Sequence, residues 1–426
     1  MSFFLGVGIL LVLIVIGVPV GFALGLAGIA SMFMIVPLTP ILALMTNVVM
    51  ETVSSYVLIT IPMFILMAEF LSAGGISRDL LLSCNRLLRK VRGGMGMACV
   101  LAGAVLASAS GSSTASAATI TRAAFPVMKR IGYDEGFSLG IIAISGTLAI
   151  LIPPSIAFIL YGLMTETSIG KLFLAGIIPG VLTALGYILT ISLAIRLKPE
   201  WGPSQSESDA MMAQSGEGHR VWPIGLLIFL ILAGLYSGVA TPTEISALGA
   251  LGALVISTAS GRMTPRQFTT AVGNTIRTTA MIVTIIFSAH LFGYFISFTR
   301  VTTELLNWVA VSGVSEVLVM LLIVGIYLLL GMVMDQAAII ILTAPITTPL
   351  IVGLGYDPIW WGVIIVKTAE IGLVSPPMGL NVFVASAAAK AEIREGFKGV
   401  LPFIATELII LAMLLTFPQL SLALTG

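Results

Sequence analysis

Apolar stretches separated by short polar segments follow one another along the whole chain. A helix that crosses a bilayer needs about 20 apolar residues, and lipid offers no partner to an irregular backbone. The pattern therefore predicts an all-α integral membrane protein. We predict spanning helices over residues 3–16, 18–36, 56–71, 137–164, 172–195, 222–236, 242–256, 279–298, 360–389 and 400–416.

Two further stretches, at about residues 95–130 and 317–350, are weakly polar and have small or polar residues at their middle. Cytoplasmic loops are enriched in Lys and Arg, and basic residues flank the first stretch on both sides. A segment that begins and ends on one side predicts a re-entrant hairpin, with two full spans as the alternative. The second stretch has no flanking basic residue, so we expect that hairpin to open from the outer face.

The remaining basic segments orient the chain in the same way. We place residues 78–92, 198–220, 262–277 and 390–398 in cytoplasmic loops. The first apolar segment has neither a basic leader nor a small-residue cleavage site. We therefore predict a retained membrane helix at the start of the chain rather than a signal peptide.

The two halves of the chain match each other without a gap at one offset, the 223 positions between Pro19 and Pro242. At the same offset Pro126, Pro153, Pro154 and Pro179 pair with Pro349, Pro376, Pro377 and Pro402. The first half has an odd number of predicted crossings, so the second half is predicted to be inverted. We expect a first repeat at 1–197, a cytoplasmic linker at 198–221 and a second repeat at 222–426.

Each Pro-Pro pair interrupts a predicted span, at about 137–164 and about 358–389, because proline removes a backbone donor and clashes with the preceding turn. The freed carbonyls can ligate a cation. The hairpin tips also align at the offset, so each half brings one tip and one broken helix to the same depth. Inverted repeats with sites at interrupted helices are typical of secondary transporters.

Composition limits the classes of function that fit. The chain is 58% hydrophobic and 9% charged, whereas a soluble domain carries roughly 25% charged residues. A net charge of +1 leaves no basic surface for nucleic acid, and two histidines make a histidine-rich metal site unexpected. The sequence has neither a Gly-x-Ser-x-Gly elbow nor a P-loop, so we expect neither an enzyme nor a direct user of ATP.

Polar residues at the two tips could bind an ion. The first tip, residues 111–114, offers hydroxyl and carbonyl oxygens that suit sodium, and close helix packing through small residues is the alternative. Asp335 lies at the second tip, where an ionisable group at membrane depth is costly. Its alternative role is to cap the helix that it opens, and the two roles are compatible.

The broken helices carry a second set of polar residues. Lys367 and Glu370 share a helix face and could simply neutralise each other. Glu370 aligns with Thr147 of the first half. Ser155 and Asn381 follow the two breaks and could bind an anionic solute at the half-helix N-termini, where the helix dipole favours negative charge.

Four motifs resemble the large membrane (M) subunit of TRAP transporters, the tripartite ATP-independent periplasmic family. They are SGSSTASA at 110–117, LIPPS at 151–155, GMVMD at 331–335 and SPPMGLN at 375–381. The resemblance implies sodium-coupled import of a small organic acid, such as a C4-dicarboxylate, a sialic acid or a similar carboxylate. It also implies a bacterial inner-membrane location and an elevator motion of a transport domain against a scaffold.

The resemblance further implies partners and site residues. We expect a soluble periplasmic binding protein that delivers the solute and a separate small four-helix membrane subunit. Sodium ligands are predicted at Gly111, Ser112, Ser113, Thr147, Pro153, Asp335, Gln336, Thr368 and Ser375. Solute contacts are predicted at Thr114, Ser155, Glu370, Pro377 and Asn381. A stand-alone sodium/dicarboxylate symporter and a channel are the alternatives, since prolines and glycines also line pores.

Overall fold

The structure is a computed structural model that describes residues 2–88, 90–110, 112–203 and 222–426. The described residues form helices joined by turns, and no strand occurs among them. Seven of these helices are long and apolar enough to cross a membrane, and shorter apolar helices accompany them. The predicted class, an all-α multi-pass membrane protein, is therefore confirmed.

The helices of the two halves are numbered in chain order. The first half contains α1 (Ser2–Val15), α2 (Val20–Met32), α3 (Leu38–Ser54), α4 (Thr60–Ala73), α5 (Ile76–Leu88), α6 (Gly94–Ser110), α7 (Ser113–Arg130), α8 (Glu135–Leu151), α9 (Ile156–Thr165) and α10 (Ile169–Leu197). The second half contains α11 (Trp222–Tyr236), α12 (Pro242–Ala259), α13 (Pro265–Thr299), α14 (Val301–Ser312), α15 (Glu316–Gly331), α16 (Gln336–Gly353), α17 (Pro358–Gly372), α18 (Leu380–Ala389), α19 (Ile393–Thr416) and α20 (Gln419–Leu422). Short 3-10 turns at Tyr56–Ile59 and Pro199–Trp201 precede α4 and follow α10.

Helix boundaries recur at the offset that the prolines show. Helix α7 runs from Ser113 to Arg130, and adding 223 to each number gives Gln336 and Gly353, the bounds of α16. Helices α8 and α17 also begin 223 positions apart. Both predicted interruptions occur, because turns at the Pro-Pro pairs separate α8 from α9 and α17 from α18.

Aspartates set the starts of the two central helices. The Asp134 carboxylate accepts a hydrogen bond from the Phe137 backbone N–H at the start of α8 (2.8 Å). At the equivalent position of α17, Asp357 accepts from the backbone N–H groups of Ile359 and Trp360. These bonds satisfy donors that a helix start leaves without an intrahelical partner. The repeat therefore extends to the residues that cap its helices.

Helices α8 and α17 lie at the centre of the molecule, and all their residues from 136 to 151 and from 360 to 372 are buried. Helix α8 packs against the hairpin arms α6 and α7 and against α19 of the other half. Helix α18 packs against α7, while α13 packs against α2 and α4. The two halves therefore interlock through the hairpins and the broken helices.

Four helices, α3, α5, α14 and the short α20, are absent from the set predicted by the apolar pattern. Helix α3 buries only Ile41, Val48 and Thr52, and α14 buries only Val301 and Val309. Polar residues such as Asn47 and Glu51 interrupt the apolar pattern of α3, and α14 is only 12 residues long. Both helices therefore lack the apolar run of about 20 residues on which the prediction relied.

Several of the basic segments predicted to be cytoplasmic are largely helical rather than irregular loops. Helix α13 begins inside 262–277, where Thr264 and Gln267 form a reciprocal capping box. Helix α19 begins inside 390–398, and α5 covers most of 78–92. Basic residues indicate which side of the membrane a segment lies on. Capping residues determine where a helix begins.

The predicted linker at 198–221 is described only as far as residue 203. Its first residues form the turn after α10, where the Lys198 ammonium lies 4.4 Å from the centre of the Trp201 ring. This distance is within the range of a cation–π contact. The remainder of the predicted linker, residues 204–221, lies outside the described residues.

Candidate functional site

The first hairpin tip meets the second broken helix. The Asn381 side-chain amide, in α18, donates hydrogen bonds to the Ser113 hydroxyl at the start of α7 and to the Ala143 carbonyl of α8 (3.2 Å). The Ser113 and Asn381 side chains are buried, and Asn381 Oδ1 has no hydrogen-bond partner among the described residues. A residue predicted to bind sodium therefore touches one predicted to contact solute, and the two come from opposite halves.

The described part of the first tip opens α7. The Ser112 hydroxyl accepts a hydrogen bond from the Ala115 backbone N–H and lies 3.4 Å from the Thr114 hydroxyl. Both Ser112 and Thr114 are half-buried. The tip thus presents hydroxyl groups beside a helix N-terminus, where negative charge is favoured. Gly111, predicted as a further sodium ligand, lies outside the described residues.

The second hairpin tip opens α16 in the same way. The exposed Asp335 side chain accepts a hydrogen bond from the Ala338 backbone N–H (3.4 Å), so Asp335 caps the helix. The next residue, Gln336, is buried, and its Oε1 has no hydrogen-bond partner among the described residues. Because Gln336 is the repeat equivalent of Ser113, both tips bury a polar residue at the same position.

A pair of glycines holds the second hairpin against α17. A β-carbon on Gly372 would lie 2.3 Å from the Gly331 backbone, closer than any real contact. This approach places the predicted sodium ligand Thr368 beside α15, close to the second tip. The Thr368 hydroxyl donates to the carbonyls of Ile364 and Ile365 (3.0 and 2.8 Å), so that hydroxyl is engaged within its own helix.

The two proline breaks differ in their exposure. Pro153 is buried in the first break, whereas Pro377 is exposed in the second, and both Pro-Pro bonds are cis. The Ser155 hydroxyl caps α9 and donates to a carbonyl of α8. Ser375 donates to a carbonyl of α17 (2.7 Å). The two serines therefore hold the chain at the breaks, and the second break presents its prolines at the surface.

A group of charged residues is buried between α17, α19 and α10. The Lys367 ammonium lies 3.0 Å from Glu370 Oε2 and 2.5 Å from Glu407 Oε2, and it donates to the Thr183 hydroxyl (2.9 Å). All three charged side chains have no exposed surface. Glu370, predicted as a solute contact, is thus fully buried against Lys367. The structural pairing that the sequence also suggested for these two residues is present.

Hydroxyl groups complete this network. The Tyr187 hydroxyl donates to Glu407 Oε1 and lies 3.1 Å from the Thr147 hydroxyl, which donates to the Ile144 carbonyl (2.8 Å). Thr147, a predicted sodium ligand, therefore joins the charged group rather than a hairpin tip. Glu407 was not among the predicted site residues, although a lone acid within the apolar stretch 400–416 is the signal of an intramembrane site. Nothing in the sequence singles out Tyr187.

A cavity of 180 Å³ lies against the first tip. Its lining includes the hydroxyls of Ser112, which caps α7, and of Thr119 within α7. Glu69 of α4 and Thr278 of α13 also line it. A second cavity, of 430 Å³, shares Glu69 and is lined by the first turn of α13, including its basic residue Arg266. The shared lining connects the basic, predicted cytoplasmic end of α13 with the first hairpin tip.

A larger cavity of 630 Å³ lies at the opposite end of α9. Its lining includes Glu51, Glu166 and His290. The first residue of α9, Ile156, lines the cavity at the hairpin tip, whereas Glu166 follows the last residue of the helix. A helix of this length spans roughly 15 Å. Polar cavities therefore approach the centre of the molecule from two ends of one half-helix.

Comparison with known proteins gives a match over nearly the whole chain. Residues 7–420 match the protein-family model described as "Tripartite ATP-independent periplasmic transporter, DctM component". The chain is 36% identical, over 375 residues, to the C4-dicarboxylate TRAP transporter large permease protein DctM of Pseudomonas aeruginosa, covering 88% of this chain and 87% of that protein. It is 31% identical, over 422 residues, to the 2,3-diketo-L-gulonate TRAP transporter large permease protein YiaN of Escherichia coli, covering 99% and 98%.

A further relative is the isethionate TRAP transporter permease protein DctMQ of Oleidesulfovibrio alaskensis, 32% identical over 97% of this chain and 65% of that protein. Among solved structures, the YdaH transporter of Alcanivorax borkumensis has a TM-score of 0.65 and 16% identity, with 88% of each chain covered. MtrF of Neisseria gonorrhoeae has a TM-score of 0.58 and 17% identity, with 87% and 83% covered. At these identities the structural likeness concerns the fold.

Proposed function

This chain belongs to the DctM component family of tripartite ATP-independent periplasmic transporters, and we propose that it couples sodium entry to the import of a small organic acid. Its relatives are named as large permease proteins of carboxylate transporters. The chain is therefore a transporter component of the bacterial inner membrane rather than an enzyme. Sodium coupling, the identity of the solute and the partners belong to the proposal.

Two buried amide oxygens carry the sodium part of the proposal. Asn381 Oδ1 and Gln336 Oε1 both lie within the protein without a hydrogen-bond partner among the described residues. An unsatisfied buried oxygen is costly, and a hard cation prefers oxygen ligands. Asn381 contacts the first tip and Gln336 belongs to the second. We propose that each oxygen contributes to one sodium site, with backbone carbonyls of the tips and the breaks as further ligands.

The solute part rests on the cavity against the first tip. Its volume of 180 Å³ is below the range of cavities that hold drug-sized ligands, which suits a small organic acid. The N-terminus of α7 and the Ser112 hydroxyl can hold a carboxylate there. Relatives are named for C4-dicarboxylate and 2,3-diketo-L-gulonate transport. We propose a carboxylate of this size range as the solute.

The proposed transport cycle requires motion and partners. The interlocked hairpins and broken helices would move together as a transport domain against a scaffold that includes α4 and α13. The cavities at the two ends of α9 would then open in turn. A soluble periplasmic binding protein would deliver the solute from outside, and a separate small four-helix membrane subunit would assist the scaffold. The description of the family as tripartite and periplasmic supports the presence of partners.

Reconstitution tests the proposal. The chain is placed in proteoliposomes with or without its small membrane subunit and its binding protein, and uptake of radiolabelled succinate or 2,3-diketo-L-gulonate is measured. We expect saturable uptake of one of these only when all three components and an inward sodium gradient are present. Uptake by the chain alone would instead identify a stand-alone symporter. Non-saturating flux without a sodium gradient would identify a channel.

A further inference from the structure

Two features of opposite electrostatic sign line the cavity against the first hairpin tip, which we call the tip cavity. Ser112 lines it and caps the N-terminus of α7, and a helix N-terminus favours an anion. Glu69 of α4 lines the same cavity and is the only ionisable residue among the described residues that do so. A solute in the tip cavity therefore meets a group that favours negative charge and a carboxylate that disfavours it.

The Glu69 carboxylate is held by an amide rather than by a cation. Asn274 of α13 donates a hydrogen bond from its side-chain nitrogen to Glu69 Oε2 (3.1 Å). None of the ion pairs among the described residues includes Glu69. Arg266 lines the neighbouring cavity and is not part of the lining of the tip cavity. The negative charge of Glu69 is therefore positioned beside the solute site without a cation to balance it.

A carboxylate in this position distinguishes between the groups that a solute can carry. An ionised carboxylate only accepts hydrogen bonds, so it pairs with a donor and not with a second carboxylate. A second carboxylate would also be repelled by Glu69, and this repulsion is stronger in a partly buried site than in bulk water. A hydroxyl group is a suitable donor, and a site that bonds a hydroxyl group rejects analogues that lack it.

We infer that Glu69 selects a monocarboxylate that carries a hydroxyl group away from its carboxylate, and that it disfavours a dicarboxylate. The carboxylate of the solute lies against the N-terminus of α7, and the hydroxyl group donates to Glu69. This inference rests on the proposed function, because it takes the tip cavity as the solute site. In the proposed cycle α4 belongs to the scaffold, so Glu69 contacts the solute only while the first tip faces α4.

Three straight-chain acids of equal carbon number test the inference, because they differ only at the carbon farthest from the carboxylate. That carbon bears a hydroxyl group in 4-hydroxybutanoate, only hydrogens in butanoate and a second carboxylate in succinate. The melting temperature of the purified chain is measured in sodium buffer against the concentration of each acid, which gives an apparent Kd. We expect the parent to bind 4-hydroxybutanoate at least about tenfold more tightly than either of the others.

Glu69→Gln replaces the carboxylate by a neutral amide of nearly the same shape, which can also donate a hydrogen bond to a carboxylate. We expect the preference of this variant for 4-hydroxybutanoate over succinate to fall to within about threefold. Glu304→Gln is the matched control, because it removes an exposed acid of α14 that lines neither the tip cavity nor its neighbour. We expect the control to keep the preference of the parent.

The inference is wrong if the parent binds succinate as tightly as 4-hydroxybutanoate. It is also wrong if Glu69→Gln changes the affinity for all three acids by the same factor, because Glu69 would then repel every anion equally. If none of the acids stabilises the parent, the tip cavity does not hold such a solute, and the inference is again wrong. The proposed function is tested separately, since only a complete transporter that imports no organic acid contradicts it.

Discussion

At the residue scale, the proposed sodium sites rest on two buried side-chain amides, each of which has an oxygen without a hydrogen-bond partner among the described residues. Asn381 uses its amide hydrogens to bind Ser113 and the Ala143 carbonyl, which leaves its oxygen directed away from these two groups. Gln336 is in a comparable position at the second tip. Burying an amide oxygen without a partner costs about 1–3 kcal/mol, and a bound cation would remove that cost.

Replacing Asn381 by alanine removes this oxygen together with both donors. We expect the sodium concentration for half-maximal uptake to rise about tenfold, because a lost ligand of roughly 1.4 kcal/mol changes affinity by that factor. The measurement is uptake by the reconstituted transporter as a function of sodium concentration. Gln419→Ala removes an exposed amide in α20 and should leave the sodium dependence unchanged. A lower maximal rate with unchanged sodium dependence would show that Asn381 acts in packing.

At the scale of the elements, the hairpins are held by close backbone contacts. Gly331 and Gly372 allow the second hairpin to approach α17, and Gly399 of α19 leaves space for the Gly136 carbonyl of α8. Small residues permit this approach of helices within a membrane, where packing is the main source of helix association. The position of each tip therefore depends on residues that carry no polar side chain.

Gly372→Ala should displace the second hairpin, because the new β-carbon would lie 2.3 Å from the Gly331 backbone. We expect a loss of about 1–3 kcal/mol of stability, measured as a lower melting temperature in detergent. Gly325→Ala is the matched control in α15, since no atom lies within 4 Å of its added carbon. Because alanine favours the helix more than glycine does, we expect this variant to be as stable as the parent or slightly more stable. Equal melting of the two variants would contradict this packing.

The elements also show what the sequence could and could not predict. The breaks at the Pro-Pro pairs were predictable because prolines and runs of small polar residues are local signals, whereas the re-entrant course of the two hairpins stays a prediction. Helix α3 was not predictable, because polar residues such as Asn47 and Glu51 interrupt its apolar pattern. The Ser113–Asn381 contact joins residues 268 positions apart, and only the folded chain reveals it. Glu407 was visible as an acid in an apolar stretch, but its pairing with Lys367 depends on how α17 and α19 pack.

At the scale of the whole molecule, cavities at the two ends of α9 are consistent with access from alternate sides. The cavity at the first tip continues toward the basic start of α13, and the larger cavity lies past the end of α9. A transport cycle that opens these cavities in turn would carry the tips between the two sides. A channel would keep both cavities open at once.

Single cysteines placed in the two cavities distinguish a transporter that opens them in turn from a channel. Thr119→Cys should react with a membrane-impermeant maleimide from the cytoplasmic side, and Thr167→Cys should react from outside. Sodium and solute together should change the two rates in opposite directions. Burial raises the pKa of the native Cys84 thiol to about 11 and Cys99 is also buried, so background labelling should be low, because the thiolate is the reactive form. Labelling rates that do not change when sodium and solute are added would contradict alternating access.

Accumulation of solute against its own gradient tests the central claim most directly. The transporter is reconstituted with its small subunit and binding protein, the membrane potential is clamped, and only the sodium gradient is varied. We predict that an inward sodium gradient drives the labelled solute above its external concentration, and that a sodium ionophore abolishes this accumulation. Accumulation that persists without a sodium gradient, or that a proton gradient drives equally well, would contradict sodium coupling.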